Sequence, residues 1–348
     1  MIDADMNKRL LLIGPNFHDF NKYVLKAFQE LGWNVVLQSY DTPVHPFSSF
    51  NKIRYKLTSN KASLIESSRK AFSSGIAKKY KELSPELVFV LNGEMLSRDV
   101  VQTMRQSSKV VLWLFDSITR LPYCWEMLPC YDKVFCYEKD DIQLIKDKLS
   151  IEAEFLPQAV DPSAYHPLGD PNKKWDIVFA ADLWKSERRK YLIQKVVAAF
   201  PDRKIRIWGI YKPWYKGLWK CLTRERKDVY TNRNASTEQL NLDYNGAEVV
   251  LNIHHEQQRN GANPKVYEIA ASGSYQICDA NPYIETLFPH GEIGLYHDEA
   301  ELMEQIRWAL DPVNKEMKDR KAREAMAMVC AAHTFKHRMQ FVLETVGL

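Results

Sequence analysis

The chain has 348 residues, a length that suits two domains of about 150 to 170 residues each. Hydrophobic residues make up 45%, which is enough for buried cores, and a net charge of +4 excludes a polyelectrolyte that binds through its overall charge. Six cysteines without a CxxC pair match no zinc pattern, and no apolar run approaches the roughly 18 residues of a membrane span. With no secretory signal pattern at its start, the sequence predicts a cytoplasmic protein.

The first half of the sequence alternates short apolar runs with helical segments. Such strand-helix-strand units with brief connections predict an open α/β sheet of parallel strands. Helices are predicted up to Gly32, at about 52–83 and near 97–105. The predicted strands are RLLLIG (9–14), NVVLQSY (34–40), LVFVLNG (87–93), KVVLWLFDS (109–117) and KVFCYEKDD (133–141).

A proline-rich stretch then interrupts the pattern. Four prolines fall between residues 157 and 171, which is typical of a domain linker. The α/β pattern restarts after the linker and closes with helices at 299–310 and from about 313 to the C-terminus, with a break near 333–334. Two similar α/β halves imply a cleft between them, with ligands outside the carboxyl ends of the strands. The predicted strands of this half are WDIVFAAD (175–182), KIRIWG (204–209), AEVVLNIHH (247–255) and YQICD (275–279).

The stretch NGANPKVYEIAASGSYQICD (260–279) predicts a short helix between a loop and a strand. Asn263 suits the cap, Pro264 suits the first helical position, and Gly273 suits the end. The first N–H groups of this helix would lack intrahelical partners, and an anion is favoured there.

Two charged residues of this helix raise a question of function. Lys265 in the first turn is unfavourable by ~0.3–1 kcal/mol, because the helix dipole is positive there, unless an anion such as a diphosphate binds. Glu268 could then accept hydrogen bonds from the hydroxyl groups of a ribose. The alternative is a local Lys265–Glu268 ion pair, worth ~0.2–0.5 kcal/mol, without any ligand.

Several motifs resemble, in order and spacing, those of CgeB-like, spore-maturation-type glycosyltransferases, which are related to glycosyltransferase families 1 and 4. The resemblance implies a GT-B fold, in which two Rossmann-like α/β domains with parallel sheets face a central cleft. It covers about 155–339 well and the first half more loosely. The motifs are 260–279 with LFPHGEIGLYHDEAELMEQI (287–306), FLPQAVDPSAYHP (155–167), WDIVFAADLWKSERR (175–189), AEVVLNIHH (247–255), HTFKHRM (333–339), WLFDSITR (113–120) and YDKVFCYEKDDI (131–142).

The resemblance also implies that the two domains bind different substrates. Residues 1–157 would form the acceptor-side domain and residues 158–330 the domain that binds the nucleotide-sugar donor. Residues 331–348 would form a helix that packs back towards the first domain.

The resemblance implies how the donor is held. Glu268 takes the position of the acidic residue at the donor ribose, and Lys265 that of the basic residue at the diphosphate. The broader retaining GT-B pattern places another Glu eight residues earlier, where this sequence has Asn260. The other donor-binding candidates are Lys185, Arg188, Arg189, Gly209, His254, Gly261, Ala262 and Asn263.

The expected reaction needs stabilisation of a leaving nucleoside diphosphate, which a helix N-terminus with Lys and Arg supplies without a metal or cofactor. The Asp-x-Asp at residues 3–5 is a poor metal site. In the retaining enzymes that the sequence resembles, the donor phosphate takes the acceptor proton. If inversion occurs instead, His18 or Asp116 is the candidate base. The structural alternatives are a loop polar residue for His18 and a helix cap for Asp116.

Two segments concentrate positive charge. Residues 48–83 contain nine Lys or Arg and two Glu, and residues 201–230 contain nine Lys or Arg, three acids and six aromatic residues. Lysines alternating with aromatic residues at 208–227 suit peripheral contact with the inner membrane surface or an anionic glycan and, less well, single-stranded nucleic acid. An ordinary solvated basic face is the alternative.

The favoured interpretation is a glycosyltransferase that moves a sugar from a nucleotide diphosphate sugar, preferably a UDP-sugar, to an acceptor hydroxyl. The acceptor would be a glycan, a glycolipid or another anionic polymer. The missing acid at Asn260 keeps a non-catalytic nucleotide- or glycan-binding protein as an alternative. A nucleotide-sugar epimerase and an enzyme that glycosylates modified DNA are further alternatives.

Overall fold

A computed structural model describes residues 8–16, 19–40, 61–169, 172–211 and 228–348. The chain divides into two compact units. Unit 1 comprises Met1–Pro157 and Phe335–Leu348, and unit 2 comprises Gln158–Thr334. The last helix of the chain therefore belongs to the same unit as the first strand.

Within its described residues, unit 1 is built on a six-stranded sheet in the order β2-β1-β3-β4-β5-β6, and every pair of neighbours is parallel. β3 is LVFVL and is buried at all positions, as expected for a central strand of a parallel sheet. Chain order reverses between β1 and β3, which makes their carboxyl ends the switch point of this sheet. The strands are β1 Arg9–Pro15, β2 Asn34–Tyr40, β3 Leu87–Leu91, β4 Lys109–Leu114, β5 Lys133–Cys136 and β6 Ala153–Phe155.

The helices of unit 1 place their apolar residues against this sheet. The first and last helices meet through aromatic rings, with the ring centroids of Phe20 and Phe335 6.1 Å apart. Nε of Arg338 donates to the carbonyl oxygen of Pro157 at 2.9 Å, which holds the last helix at the end of the unit. The helices are α1 Phe20–Glu30, α2 Lys61–Leu83, α3 Arg98–Arg105, α4 Cys124–Met127, α5 Lys139–Leu149 and α12 Phe335–Val346.

Unit 2 repeats this topology. Its five-stranded parallel sheet has the order β11-β10-β9-β7-β8 in the described part of the chain, so its switch point lies between β7 and β9. The strands are β7 Trp175–Ala180, β8 Ile205–Trp208, β9 Ala247–Asn252, β10 Gln276–Asp279 and β11 Gly294–Tyr296. The helices are α6 Glu187–Ala199, α7 Thr237–Asn245, α8 Pro264–Ala271, α9 Pro282–Leu287, α10 Glu299–Leu310 and α11 Lys315–Ala332.

Most predicted elements are confirmed, with differences at their ends. The break predicted near 333–334 separates α11 from α12. The strand predicted at 87–93 ends at Leu91, because Asn92 and Gly93 have φ of 58° and 75° and turn the chain away. The basic helix predicted from about 52 is observed from Lys61, and residues 41–60 lie outside the described part of the chain.

None of the helices in the described ranges is both long enough and apolar enough to cross a membrane. The aromatic and basic segment predicted to contact a membrane lies mostly outside the described residues, which omit 212–227. Of its described part, Trp208 is buried, and its Nε1 donates to Asp243 at 2.6 Å.

Candidate functional site

The start of α8 is tied to the end of β9 by a pair of asparagines. Asn263 has extended backbone angles and caps the helix, since its Oδ1 accepts from the Val266 N–H at 3.2 Å. Asn252 and Asn263 also exchange side-chain hydrogen bonds at 2.8 and 3.1 Å. Both are buried, so the predicted helix cap is also a rigid connection to the central sheet.

His254 adds a second connection between the same elements. The Asn263 N–H donates to its Nε2 at 3.2 Å, and its Nδ1 lies 2.7 Å from Oδ1 of Asp279. Because Nε2 accepts a hydrogen bond, the proton belongs on Nδ1, which donates to the carboxylate. The imidazole is buried with both nitrogens engaged. The structure therefore uses this predicted donor-binding residue to hold the loop that precedes α8.

Asp279 connects His254 to one of the predicted cations. Nη1 of Arg188 lies 2.6 Å from Oδ2 of Asp279, and the Arg188 side chain is 40% exposed. Burial by itself would raise the pKa of Asp279, but His254 and Arg188 beside it hold that pKa well below its usual range. Arg188 is thus oriented by a carboxylate and still reaches the surface of unit 2.

The other two predicted cations have different surroundings. Nε of Arg189 donates to the main-chain oxygen of Ile253 at 2.7 Å, so this guanidinium supports the end of β9. Nζ of Lys185 lies 3.4 Å from Oδ2 of Asp182 and the side chain is half exposed. Lys185 and Arg188 are the more accessible cations, whereas Arg189 is largely enclosed.

Gly209 has a φ of +116°, a conformation that side-chain-bearing residues rarely adopt. A Cβ at this position would overlap the main chain of Ala181 and Asp182. Oδ1 of Asp182 also accepts from the Ile210 N–H at 2.9 Å. A glycine is therefore required at this position because the protein's own backbone after β7 lies close to it.

The two charged residues of α8 form the predicted pair. Nζ of Lys265 is 3.8 Å from Oε2 of Glu268, whose side chain is 10% exposed. Burial raises the pKa of Glu268, and the charge of Lys265 and a hydrogen bond with Tyr165 act in the opposite direction. Oε2 accepts no hydrogen bond from the described residues. A buried carboxylate oxygen with unused hydrogen-bonding capacity is uncommon and fits a site for hydroxyl donors.

The remaining predicted donor-site residues lie in the loop before α8. The main-chain oxygen of Gly261 accepts from Nδ2 of Asn281 at 3.0 Å, and Ala262 is fully buried. Asn281 caps α9, so the loop is held from that side as well. The structure brings together His254, Asn263 and Arg188 through Asp279, with Lys265 and Glu268 on the helix that follows.

The candidate bases belong to unit 1. His18 lies outside the described residues. Asp116 follows β4, and its carboxylate contacts Nδ2 of Asn92 at 3.5 Å and Nη1 of Arg120 at 3.2 Å. The alternative of a helix cap is wrong for Asp116, because Ser117 caps the short 3₁₀ turn that follows.

Several residues of these sites were missed by sequence reasoning. Asn252 and Asp279 are polar residues at the carboxyl ends of parallel strands, a signal that was available in the sequence. Tyr165 was hidden because it lies in the linker, where proline spacing dominated the interpretation. The missed residues are Asn252, Asp279 and Tyr165.

Two other potential metal ligands lie beside the carboxylate of Asp279. The ligand atoms of His254, Cys278 and Asp279 lie within 4.8 Å of one another. However, Nδ1 already donates to the carboxylate, Arg188 occupies its other oxygen, and burial raises the pKa of the Cys278 thiol. These three side chains are therefore better described as a hydrogen-bonded support for the loop before α8 than as a cation site.

Comparisons with known proteins agree with this architecture. Residues 188–344, less than half of the chain, match the model of a family described as glycosyl transferase-like. No curated protein matches the sequence significantly.

Solved structures match over nearly the whole chain. Sucrose-phosphate synthase from Thermosynechococcus elongatus has 14% identity and a TM-score of 0.70, with 97% of this chain and 99% of that chain covered. The UDP-forming α,α-trehalose-phosphate synthase from Burkholderia vietnamiensis has 13% identity and a TM-score of 0.67, with 98% and 100% covered. Anabaena HepE in complex with UDP-glucose has 12% identity and a TM-score of 0.63, with 97% and 99% covered.

These likenesses concern the fold. Two α/β units with parallel sheets, together with these structural neighbours, confirm the prediction of a two-domain α/β GT-B fold.

Proposed function

We propose that this protein is a glycosyltransferase that moves a sugar from a nucleotide diphosphate sugar to an acceptor hydroxyl. The main support for this proposal is the buried Oε2 of Glu268, one turn into α8. This oxygen accepts no hydrogen bond from the described residues. Ribose hydroxyls would satisfy this oxygen and offset the cost of burying the carboxylate. The glycosyl transferase-like match over residues 188–344 includes this helix and supports the same chemistry.

The diphosphate has a matching environment beside Glu268. The N-terminus of α8 favours an anion, and Lys265 adds a positive charge that the contact with Glu268 at 3.8 Å only partly balances. Arg188, oriented by Asp279 and partly exposed, is the second cation that we assign to the diphosphate, with Lys185 as the other accessible one. His254, Asn263 and Gly261 would shape the loop that carries the main-chain donors.

The favoured donor is a sugar attached to a uridine nucleotide. One structural neighbour was solved in complex with UDP-glucose, and another is described as UDP-forming. We extend the preference for a uridine nucleotide to this chain and propose that the transferred sugar is a hexosyl group. The narrower CgeB-like subtype rests on the motif resemblance and is part of the proposal.

In the proposed reaction an acceptor oxygen bonds to the anomeric carbon as the bond from that carbon to the phosphate oxygen breaks. The electron pair leaves with the nucleoside diphosphate, and Lys265, Arg188 and the start of α8 stabilise its charge without a metal. With retention of configuration, an oxygen of the donor phosphate takes the acceptor proton. An anionic glycan or a glycolipid as acceptor, a cytoplasmic location and membrane contact through 208–227 belong to the same proposal.

Donor binding can be tested directly by calorimetric titration with UDP, GDP, dTDP and their glucose conjugates. UDP and UDP-glucose should bind, and Glu268→Gln should weaken them by roughly tenfold, since a hydrogen bond to a charged group is lost. Glu304→Gln, at an exposed carboxyl on α10, is the matched control and should bind as the native protein does. No binding of any nucleotide would refute the proposal.

Asn260 favours a second candidate, a binding protein without turnover, because the retaining pattern expects an acid there. Product analysis separates the alternatives. Slow release of free glucose from UDP-glucose supports transfer chemistry, an epimerised nucleotide sugar identifies an epimerase, and binding with neither product supports the non-catalytic protein. Salt-sensitive binding to DNA would favour the modified-DNA alternative.

A further inference from the structure

Part of the predicted linker is fixed to unit 2. The strap, defined as residues 161–168, runs along α7. The His166 N–H donates to Oδ1 of Asn241 at 3.1 Å, and the Leu168 N–H donates to Oδ1 of Asn245 at 2.8 Å. Nδ2 of Asn245 also donates to the main-chain oxygen of His166 at 3.0 Å. The main chain of the strap is therefore bonded to α7 at two successive points.

The strap also reaches the end of α8 and carries a buried tyrosine. A Cβ on Gly273, just after α8, would lie 3.2 Å from Cγ of Pro167. The main-chain oxygen of Asp161 accepts from the Tyr165 N–H at 3.1 Å, which closes a turn at the start of the strap. Tyr165 is only 4% exposed. Its backbone is thus held by this turn on one side and by the contacts with α7 on the other.

Tyr165 packs against a second buried tyrosine. Its ring stacks on that of Tyr244 in α7, with the ring centroids 6.2 Å apart and the planes inclined by 23°. The main-chain oxygen of Tyr244 accepts from Oγ of Ser274 at 2.7 Å, so α7 is tied to the turn after α8. The stack and the strap together fix where the hydroxyl group of Tyr165 lies.

The hydroxyl groups of these two tyrosines have different surroundings. That of Tyr165 forms a hydrogen bond with the carboxylate of Glu268. Oη of Tyr244 is buried without a hydrogen-bond partner among the described residues, and Oε2 of Glu268 lacks one as well. Lys265, with Nζ 3.8 Å from Oε2, belongs to the same helix as Glu268. Tyr165 therefore reaches this carboxylate from a separate segment of the chain.

We propose that Tyr165 is a positioning residue of the donor site, which orients the Glu268 carboxylate and keeps it charged so that it accepts hydrogen bonds from the donor ribose. In this role Tyr165 acts through Glu268 and needs no contact of its own with the donor. The inference rests on the proposed function, because the role of Glu268 at the ribose belongs to that proposal. It makes the strap a working part of the donor site.

The first effect of this contact is on orientation. The terminal torsion of a glutamate side chain is broad, so a carboxylate without a fixed partner samples many orientations. Tyr165 restricts that rotation because its own ring is held by the stack and the strap. Oε2 then keeps its unused capacity to accept from a ligand. Fixing the carboxylate before the ligand arrives reduces the entropy lost on binding.

The second effect is on charge. Burial raises the pKa of Glu268, whereas the charge of Lys265 and the hydrogen bond with Tyr165 lower it. Within the described residues, the titratable groups that act on this carboxylate or are affected by it are Lys265, Tyr165 and Tyr244. Without the Tyr165 hydroxyl, the pKa of Glu268 should rise further. The carboxyl group would then be protonated at a higher pH and would accept hydrogen bonds less strongly.

The substitution Tyr165→Phe tests the proposal because it removes the hydroxyl and keeps the stacked ring. Calorimetric titration of the full chain with UDP should show affinity declining at a higher pH than in the native protein. The difference should be roughly fivefold where only the native Glu268 is charged, and it should nearly vanish at pH 9. The Glu268→Gln protein, measured over the same range from pH 5 to 9, supplies the pH dependence of the nucleotide itself.

Tyr244→Phe is the matched control. It removes the hydroxyl from the other ring of the same stack, where that group has no partner in the part of the chain that the structure describes. The pH profile of UDP affinity should not change. A double variant that combines Tyr165→Phe with Glu268→Gln should bind UDP as Glu268→Gln alone does, because Tyr165 acts through that carboxylate.

NMR titration of carbon-13-labelled glutamate carboxyl groups gives a second readout in the protein without nucleotide. The Glu268 signal is identified by its loss in Glu268→Gln, and its pKa should be higher in Tyr165→Phe. An unmoved pKa, an affinity loss that is equal at every pH, or additive losses in the double variant would overturn the proposal. A native protein that does not bind UDP would contradict the proposed function and this role with it. Native UDP binding with an unmoved profile in Tyr165→Phe would contradict this role alone.

Discussion

Asp279 orients His254 through a 2.7 Å contact between Oδ1 and Nδ1, and through His254 it fixes the loop that begins the helix α8. The same carboxylate holds Arg188 on its other oxygen. One strand-end residue therefore supports both the helix terminus and a cation that we assign to the donor diphosphate.

Asp279→Asn should destabilise the protein by roughly 2–3 kcal/mol at pH 7, because it leaves a buried imidazole and a guanidinium without their carboxylate. The pKa of Asp279 is lower when folded, so its stabilisation is present above its ordinary pKa near 4 and is lost as pH falls below that value. Urea unfolding at pH 7 and below pH 4 measures both effects. Asp319→Asn, at an exposed pair with Lys315, should change little, and equal losses in the two variants would contradict this role.

Glu268→Gln should separate stability from function. The folded state raises the pKa of Glu268, so the contribution of this group to stability is present below the ordinary pKa near 4 and is lost as pH rises through the raised value. The variant should lack this decline and be at least as stable as the native protein at pH 8, while binding UDP more weakly. Unfolding curves from pH 4 to 8 test this, and a marked loss of stability at pH 8 would show a structural role.

Gly209→Ala should destabilise unit 2 by roughly 2–4 kcal/mol, because a Cβ at φ +116° overlaps the backbone of Ala181. Gly75→Ala is the matched control within the helix α2, where a Cβ meets nothing within 4 Å. The control should be neutral or stabilising by about 0.5–1 kcal/mol, since alanine favours a helix. Thermal unfolding of both variants decides the point, and a fully stable Gly209→Ala protein would contradict the steric argument.

Arg189→Lys should weaken the end of β9 without abolishing donor binding. Nε of Arg189 bonds to the Ile253 carbonyl, a contact that a lysine does not reproduce in the same geometry. A loss of about 1 kcal/mol in stability is expected, with a change of less than threefold in UDP affinity. Arg188→Lys should instead affect UDP affinity more than stability. Calorimetry on both proteins measures this difference.

The sequence predicted the parts of the fold that depend on local pattern. Apolar runs of four to seven residues between helical segments gave the strands of both sheets, because residues buried on both faces of a parallel sheet must all be apolar. Proline positions predicted a linker, and proline and glycine positions located the start and end of α8. The motif resemblance pointed to the GT-B fold, which structural comparison confirms.

Tertiary structure determines which residues come together in each site. Asn252 and Asp279 are the last residues of β9 and β10 and look like ordinary strand-end residues in the sequence. Their neighbours are distant along the chain, as with Asp279 and Arg188, and only the order of strands in the sheet brings them together.

Sequence by itself therefore determined the two α/β units and the capped helix that carries Lys265 and Glu268, because caps, periodicity and burial act over a few residues. Tertiary structure alone decided that His254 supports a loop, that Arg189 holds a strand end, and that Oε2 of Glu268 is buried without a hydrogen bond from the described residues. The pairing of a buried polar group depends on which distant groups the packed sheets place within about 3 Å, and no local pattern specifies that distance.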